Sequence, residues 1–341
     1  MKVQEQAAAV RRGAGLFRLT HRGLVSVEGR DRVRWLNGMV SNDVAALEPG
    51  PDRSGCYALL LTQQGRIVAD LQILLRADSL WLETEAEAVG PLIERLEKFI
   101  VADAVELADR TAAFTRLALE GPEAPAILKK SLDPMGEALS MEKAPDLAPD
   151  ACADLRIADW PVVVAATGWS GEKAFQLLVA TDGQEPVTRA LLAAGADRGL
   201  VRAGLEVLEI LRIEAGRPRL GLDLDESVLP AEARLERAIS TQKGCYTGQE
   251  IVARLASQGQ VGHWLVGLEA DGSAPLTVEA EVTVGDRRVG EVTSACVSPI
   301  AGSIGLAYVR RGFDRPGTEL GVETRRVRVA SLPWVFPPRS P

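Results

Sequence analysis

The sequence predicts an α+β body followed by a small all-β domain. Over residues 1–258, alternating apolar runs of strand length are interleaved with helical periodicity, and the order strand–helix–strand–strand occurs twice. From Val261 the pattern changes to short alternating runs broken by Gly, Asp and Pro, so residues 259–341 read as a barrel or sandwich. The chain has 341 residues, 46% hydrophobic and 25% charged, which is enough for two or three packed cores.

In the first third, Leu24 to Val27 forms a short strand, and Asp31 stands as N-cap of a helix from Arg32 to Met39. Tyr57 to Thr62, Ile67 to Leu75 and Leu80 to Thr84 follow as a three-stranded meander. Pro91 opens an amphipathic helix that runs through Phe99, with Leu92, Leu96 and Phe99 on one face. The middle third predicts strands at Phe114–Leu119, Asp154–Ile157, Val162–Ala165 and Phe175–Val179, and helices at Glu123–Lys130 and Pro186–Ala194. Leu132 to Asp150 reads as a surface loop. Barrel strands are expected at Trp264–Leu268, Val282–Val284, Arg288–Thr293, Ile304–Val309 and Arg325–Val329, and the proline-rich tail from Pro333 is expected to be extended.

The net charge of −8 argues against a nucleic-acid binder, which needs a basic face to displace counterions. No apolar run approaches the ~18 residues of a membrane span, and the N-terminus lacks the apolar core of a signal peptide. The four cysteines (Cys56, Cys152, Cys245 and Cys296) are widely spaced, with no metal-binding or disulfide pattern. A cytoplasmic protein with reduced thiols and no bound metal is the expectation. His21 and His263 lie beside no nucleophile and read as structural.

The most specific segment is Lys243-Gly244-Cys245-Tyr246-Thr247-Gly248-Gln249-Glu250, a tight glycine-flanked loop opening a helix. A thiol just before a helix N-terminus, with a lysine two residues away, sits in a field that favours thiolate. A buried, inert cysteine in a turn is the ordinary alternative. On the helix from Arg202 to Glu214, the residues Glu206, Glu209 and Arg212 form one polar stripe among apolar neighbours. Such a stripe marks either an interior cavity or an ion pair at a domain seam.

The K-G-C-Y-T-G-Q-E run resembles the signature of the YgfZ proteins, within the wider glycine-cleavage T-protein-like family. Leu211-Arg212-Ile213-Glu214-Ala215-Gly216 with Gly221-Leu222-Asp223-Leu224-Asp225, and Gly29-Arg30-Asp31 through Asn42-Asp43, are similar to further segments of that family. The resemblance implies a three-domain ring, two α+β units and a C-terminal β-barrel around a pocket for tetrahydrofolate. It places Arg212, Gln176, Trp169, Glu172, Lys243 and Tyr246 among the folate-binding residues, and Cys245 and Asp70 as the chemical groups. Thr167-Gly168-Trp169-Ser170-Gly171-Glu172-Lys173-Ala174-Phe175-Gln176 resembles the family's pterin loop, but its final acid is Gln176. Gly65-Arg66-Ile67-Val68-Ala69-Asp70-Leu71 resembles its carboxylate strand, but one acid of the pair is Ala69.

These departures favour an accessory protein over an enzyme. The resemblance implies a tetrahydrofolate-binding protein that supports assembly or repair of iron–sulfur clusters in client enzymes, or works with assembly factors, using the Cys245 thiol. One cysteine cannot itself hold a cluster, which needs about four ligands. The alternative is a folate-dependent aminomethyl or one-carbon transferase. A cysteine-nucleophile enzyme working without folate is the third reading.

Overall fold

The computed structural model describes residues 1–133, 146–259 and 261–335. The chain opens with helix α1 (Val3–Arg12), strands β1 (Ala14–Arg18) and β2 (Arg22–Glu28), and helix α2 (Arg32–Met39). The meander β3 (Gly55–Leu61), β4 (Ile67–Leu75) and β5 (Ser79–Glu85) follows, then helix α3 (Val89–Glu97) and β6 (Glu106–Asp109). Next come β7 (Phe114–Glu120), α4 (Ala124–Ser131), β8 (Cys152–Ile157), β9 (Trp160–Ala165), β10 (Ala174–Ala180), α5 (Gln184–Ala194) and β11 (Leu200–Arg202). Helices α6 (Leu205–Glu214) and α7 (Gln249–Gln258) precede β12 (His263–Ala270), β13 (Glu281–Val284), β14 (Arg287–Ser298), β15 (Gly302–Arg310), β16 (Glu319–Val322) and β17 (Arg325–Ala330).

These strands build a five-stranded sheet in the order β3-β4-β5-β2-β6, a six-stranded sheet in the order β11-β1-β7-β10-β9-β8, and a closed six-stranded barrel. The mixed α/β body with a C-terminal barrel is the architecture the sequence predicts. Strand β4 is buried along nearly its whole length because helices cover one face of its sheet and the second sheet and a cavity meet the other. Leu24 and Leu74 pack on Cys152, Val163, Ala165 and Leu178, which joins the two sheets. Helix α6 joins the body to the barrel: Val207, Leu208, Leu211 and Ile213 share a core with Leu265, Ile304 and Leu306.

Local details depart from the expectation. Asp31 occupies the N-cap position of α2 but makes no capping bond to the helix backbone; its carboxylate accepts the Ala104 N–H at 2.8 Å and pairs with Arg34 at 3.5 Å instead. Helix α3 ends at Glu97, and Phe99 stands 45% exposed beyond it, so the buried face is Val89, Leu92 and Leu96. Pro91 is the third residue of that helix, still within the first turn where its missing N–H is not needed. Helix α1 and strands β1, β6, β11 and β16 add to the predicted elements. Strands β1, β6 and β11 are short, and their partners lie far away in sequence. The loop expected at Leu132–Asp150 and the proline-rich tail fall largely outside the described residues. No helix among those described is long and apolar enough to cross a membrane.

Candidate functional site

A cavity of about 250 Å³ lies where the two sheets meet the barrel. Strands β3 and β4 pair with Leu59 opposite Asp70 and Tyr57 opposite Gln72. Because side chains alternate along a strand, Tyr57, Asp70 and Gln72 share the face that lines the cavity. Asp70 is only 2% exposed. Its Oδ2 accepts the Tyr57 hydroxyl at 3.1 Å, while its Oδ1 is buried with no protein partner. Burial raises the Asp70 pKa, against the pull of the Arg22 guanidinium.

Arg22, on β2, donates from Nε to Glu83 at 3.1 Å and from Nη1 to Glu85 at 2.9 Å. Its guanidinium also stands 5.3 Å from the Trp169 ring centroid. The Trp169 loop is held by Glu120, whose carboxylate accepts the N–H groups of Trp169 and Ser170. The Trp169 indole N–H is buried without a partner, a second unused polar atom at the cavity wall. Gln176, on β10, donates its amide nitrogen to both oxygens of Glu83, at 2.8 and 2.7 Å, an orientation assigned from the hydrogen-bond network.

Three further arginines, Arg217, Arg234 and Arg237, also line the cavity. Arg237 pairs with Asp150 at 3.3 Å and lies 4.2 Å from the Tyr57 ring centroid. Arg217 donates to the Gly168 carbonyl and makes no ion pair among the described residues. Burial and the neighbouring Arg237 lower its pKa. Arg217 and Arg237 also line a smaller adjoining cavity of about 170 Å³.

Asp70, Gln176 and Trp169 are therefore brought together at the cavity between sheets and barrel, while the other residues singled out in the sequence are placed elsewhere. Arg212 does not line it. Arg212 is 1% exposed and donates to Asp223 at 2.6 Å, to Ser294 Oγ at 2.5 Å and to Glu209. The Ser294 hydroxyl donates to the other Asp223 oxygen at 2.7 Å, so the cluster ties α6 to barrel strand β14. The polar stripe on α6 thus lies at the seam with the barrel, and Arg212, expected to face the ligand, stands outside the lining of this cavity. Glu172 lines the smaller cavity, and its carboxylate pairs with Arg11 of α1 at 3.0 Å.

Lys243 likewise stands outside the lining of this cavity. Its ammonium donates to the carbonyls of Asn37, Val40 and Asn42, which closes the C-terminal end of α2. Burial lowers its pKa to about 8. Tyr246 is buried in the core of the first sheet. Cys245 is exposed and does not line the cavity, whereas burial pushes the thiols of Cys56 and Cys296 up to about 12. Tyr57, Arg22 and the three cavity arginines were not singled out from the sequence. For Tyr57 the signal was present, because alternation across the β3–β4 hairpin puts it on the face of Asp70.

The fold and the cavity define a protein of two α+β units and a barrel with a polar-lined cavity between them. Residues 1–243 match the N-terminal domain of the glycine-cleavage T-protein, and residues 264–337 match its C-terminal barrel domain. The chain belongs to the glycine-cleavage T-protein family, whose aminomethyltransferase members use tetrahydrofolate. It is 34% identical to an aminomethyltransferase of Streptomyces avermitilis, over 94% of this chain and 85% of that one. It is 30% identical to an aminomethyltransferase of Bacillus mycoides, over 99% and 90%. The solved aminomethyltransferase of Bartonella henselae superposes with a TM-score of 0.84 at 25% identity, covering 98% of this chain and 89% of that one.

Proposed function

We propose that this chain is a folate-dependent one-carbon transferase that moves an aminomethyl carbon onto tetrahydrofolate. The observation that carries the reading is Asp70, a buried carboxylate at the cavity wall with one oxygen held by Tyr57 and the other free. The departure at Ala69 does not count against it. Ala69 alternates to the opposite face of β4 and packs in the hydrophobic core, so an acid there would point away from the cavity.

The residues present fit a folate. Asp70 Oδ1 and the Gln176 amide offer acceptors to the donor edge of a pterin, and Trp169 offers an indole N–H. Arg217, Arg234 and Arg237 supply charge for the carboxylates of the tail. Tetrahydrofolate supplies the nitrogen that takes up the transferred carbon. As that nitrogen would bond to the carbon, the carbon's bond to its donor would break, and Asp70, its pKa raised by burial, would take the displaced nitrogen proton at Oδ1 and pass it to the departing group. Tyr57 keeps the carboxylate in one orientation, and the buried walls of the site exclude water from the reacting atoms.

The names of the relatives favour this reading over the iron–sulfur accessory role expected from the sequence. The narrower YgfZ reading, with its iron–sulfur clients, rests on the signature loop and on the exposed thiol of Cys245. One experiment separates the two. Turnover of tetrahydrofolate with an aminomethyl donor should fall about 10²–10⁴-fold in Asp70→Asn while calorimetry still shows binding. In Cys245→Ser, turnover should stay unchanged. Full activity in Asp70→Asn, or no folate binding by the unaltered protein, sinks the transferase. Turnover lost only with Cys245 would return the thiol to the centre of the function.

A further inference from the structure

The sequence resemblance sets an acid where this chain has Gln176, and the structure shows what the amide does instead. Glu83 is 1% exposed on β5 and, as a carboxylate, only accepts hydrogen bonds. The Gln176 nitrogen sits 2.8 and 2.7 Å from its two oxygens. Turning the amide over would set its carbonyl oxygen against both carboxylate oxygens, so one orientation is enforced. The geometry points to Glu83 as a positioning residue that fixes the Gln176 amide and turns its carbonyl oxygen away from Glu83 as a neutral acceptor for the ligand. Gln176 lines the cavity, whereas Glu83 stands behind it.

The inference rests on the folate reading and deepens it. The wall at Gln176 takes a ring edge that carries an N–H or NH₂ donor, as an aminopyrimidinone does, through a single uncharged bond. Glu83 is itself held by Arg22 Nε at 3.1 Å. The charges around the pair are Arg22 on β2, Arg116 on β7, Glu85 on β5 and Asp70 on β4. Arg22 thus sets a guanidinium directly against the Glu83 carboxylate.

The test is calorimetric titration with tetrahydrofolate of the unaltered protein, Glu83→Gln, Gln176→Glu and the double exchange Glu83→Gln/Gln176→Glu, each across pH 5.5–8.5. In Glu83→Gln the new amide can donate or accept, so the orientation is no longer enforced and affinity should fall about tenfold. In Gln176→Glu two carboxylates face each other and must share a proton to coexist. Its affinity relative to the unaltered protein should then decline as pH rises. The double exchange restores a donor facing a carboxylate, and should remove that decline. Near-UV circular dichroism checks each fold. Affinity within twofold in Glu83→Gln, or a pH profile in Gln176→Glu parallel to that of the unaltered protein, overturns the inference. The profile of Gln176→Glu decides alone if Glu83→Gln fails to fold. Absence of binding by the unaltered protein would instead overturn the folate reading itself.

Discussion

Arg212 and Asp70 are both buried charged residues, with opposite fates. Arg212 turns both terminal nitrogens to Asp223, Glu209 and Ser294, so its charge is spent on holding α6 to the barrel. Asp70 keeps one oxygen unused. Removing one member of a buried pair strands the other, at about 3–5 kcal/mol. Arg212→Ala should therefore lower unfolding stability by about that amount in a denaturant titration, because Asp223 is left buried. Its affinity for tetrahydrofolate, measured where the variant is still folded, should change less than twofold. The sequence could not separate these cases. The stripe Glu206, Glu209, Arg212 defines one side of a helix but not whether a cavity or a barrel covers it. Asp70 was legible because strand alternation and the resemblance agreed on it. The cavity arginines stand in irregular segments, where no periodicity announces a direction.

At the scale of elements, the signature loop acts as a clamp. Gly248 has φ of +83°, and a Cβ there would meet the Thr62 carbonyl oxygen at 2.6 Å, so the start of α7 lies directly on the β3–β4 turn. Gly244, in the same motif, has open space around it. Gly248→Ala should thus cost about 2 kcal/mol or more, from the left-handed backbone and the clash together, while Gly244→Ala should cost under about 1 kcal/mol. Thermal denaturation of the two variants side by side checks this. Lys243 works toward the same end by holding three carbonyls at the end of α2. The motif was the strongest signal in the sequence. Its glycine and lysine serve docking, which a motif alone does not distinguish from chemistry. Long strands such as β4 and β10 were read to within about a residue or two, because their period of two is local. Strands β1 and β11 were not, since three to five residues carry little pattern and their pairing is remote.

For the whole molecule, the cavity is lined from both sheets, from Leu265 of the barrel and from Leu332 beyond it. A ligand there contacts every unit at once. At a concentration of 100 times its Kd, it should add about 2.7 kcal/mol to the unfolding free energy. In scanning calorimetry, saturating tetrahydrofolate should move the unfolding of body and barrel upward together. A barrel transition that stays at its unliganded temperature would show that the site is not shared. The pairing order has a further consequence. Strand β1 lies between β7 and β11, parallel to β11 and antiparallel to β7. During synthesis at about 5–20 residues per second, β1 emerges and then waits several seconds or more for Phe114–Glu120 to follow. Through that interval its Leu16 and Phe17 have no sheet to enter. Ribosome-bound chains halted before β7 should therefore be the ones that draw chaperones to their N-terminal segment.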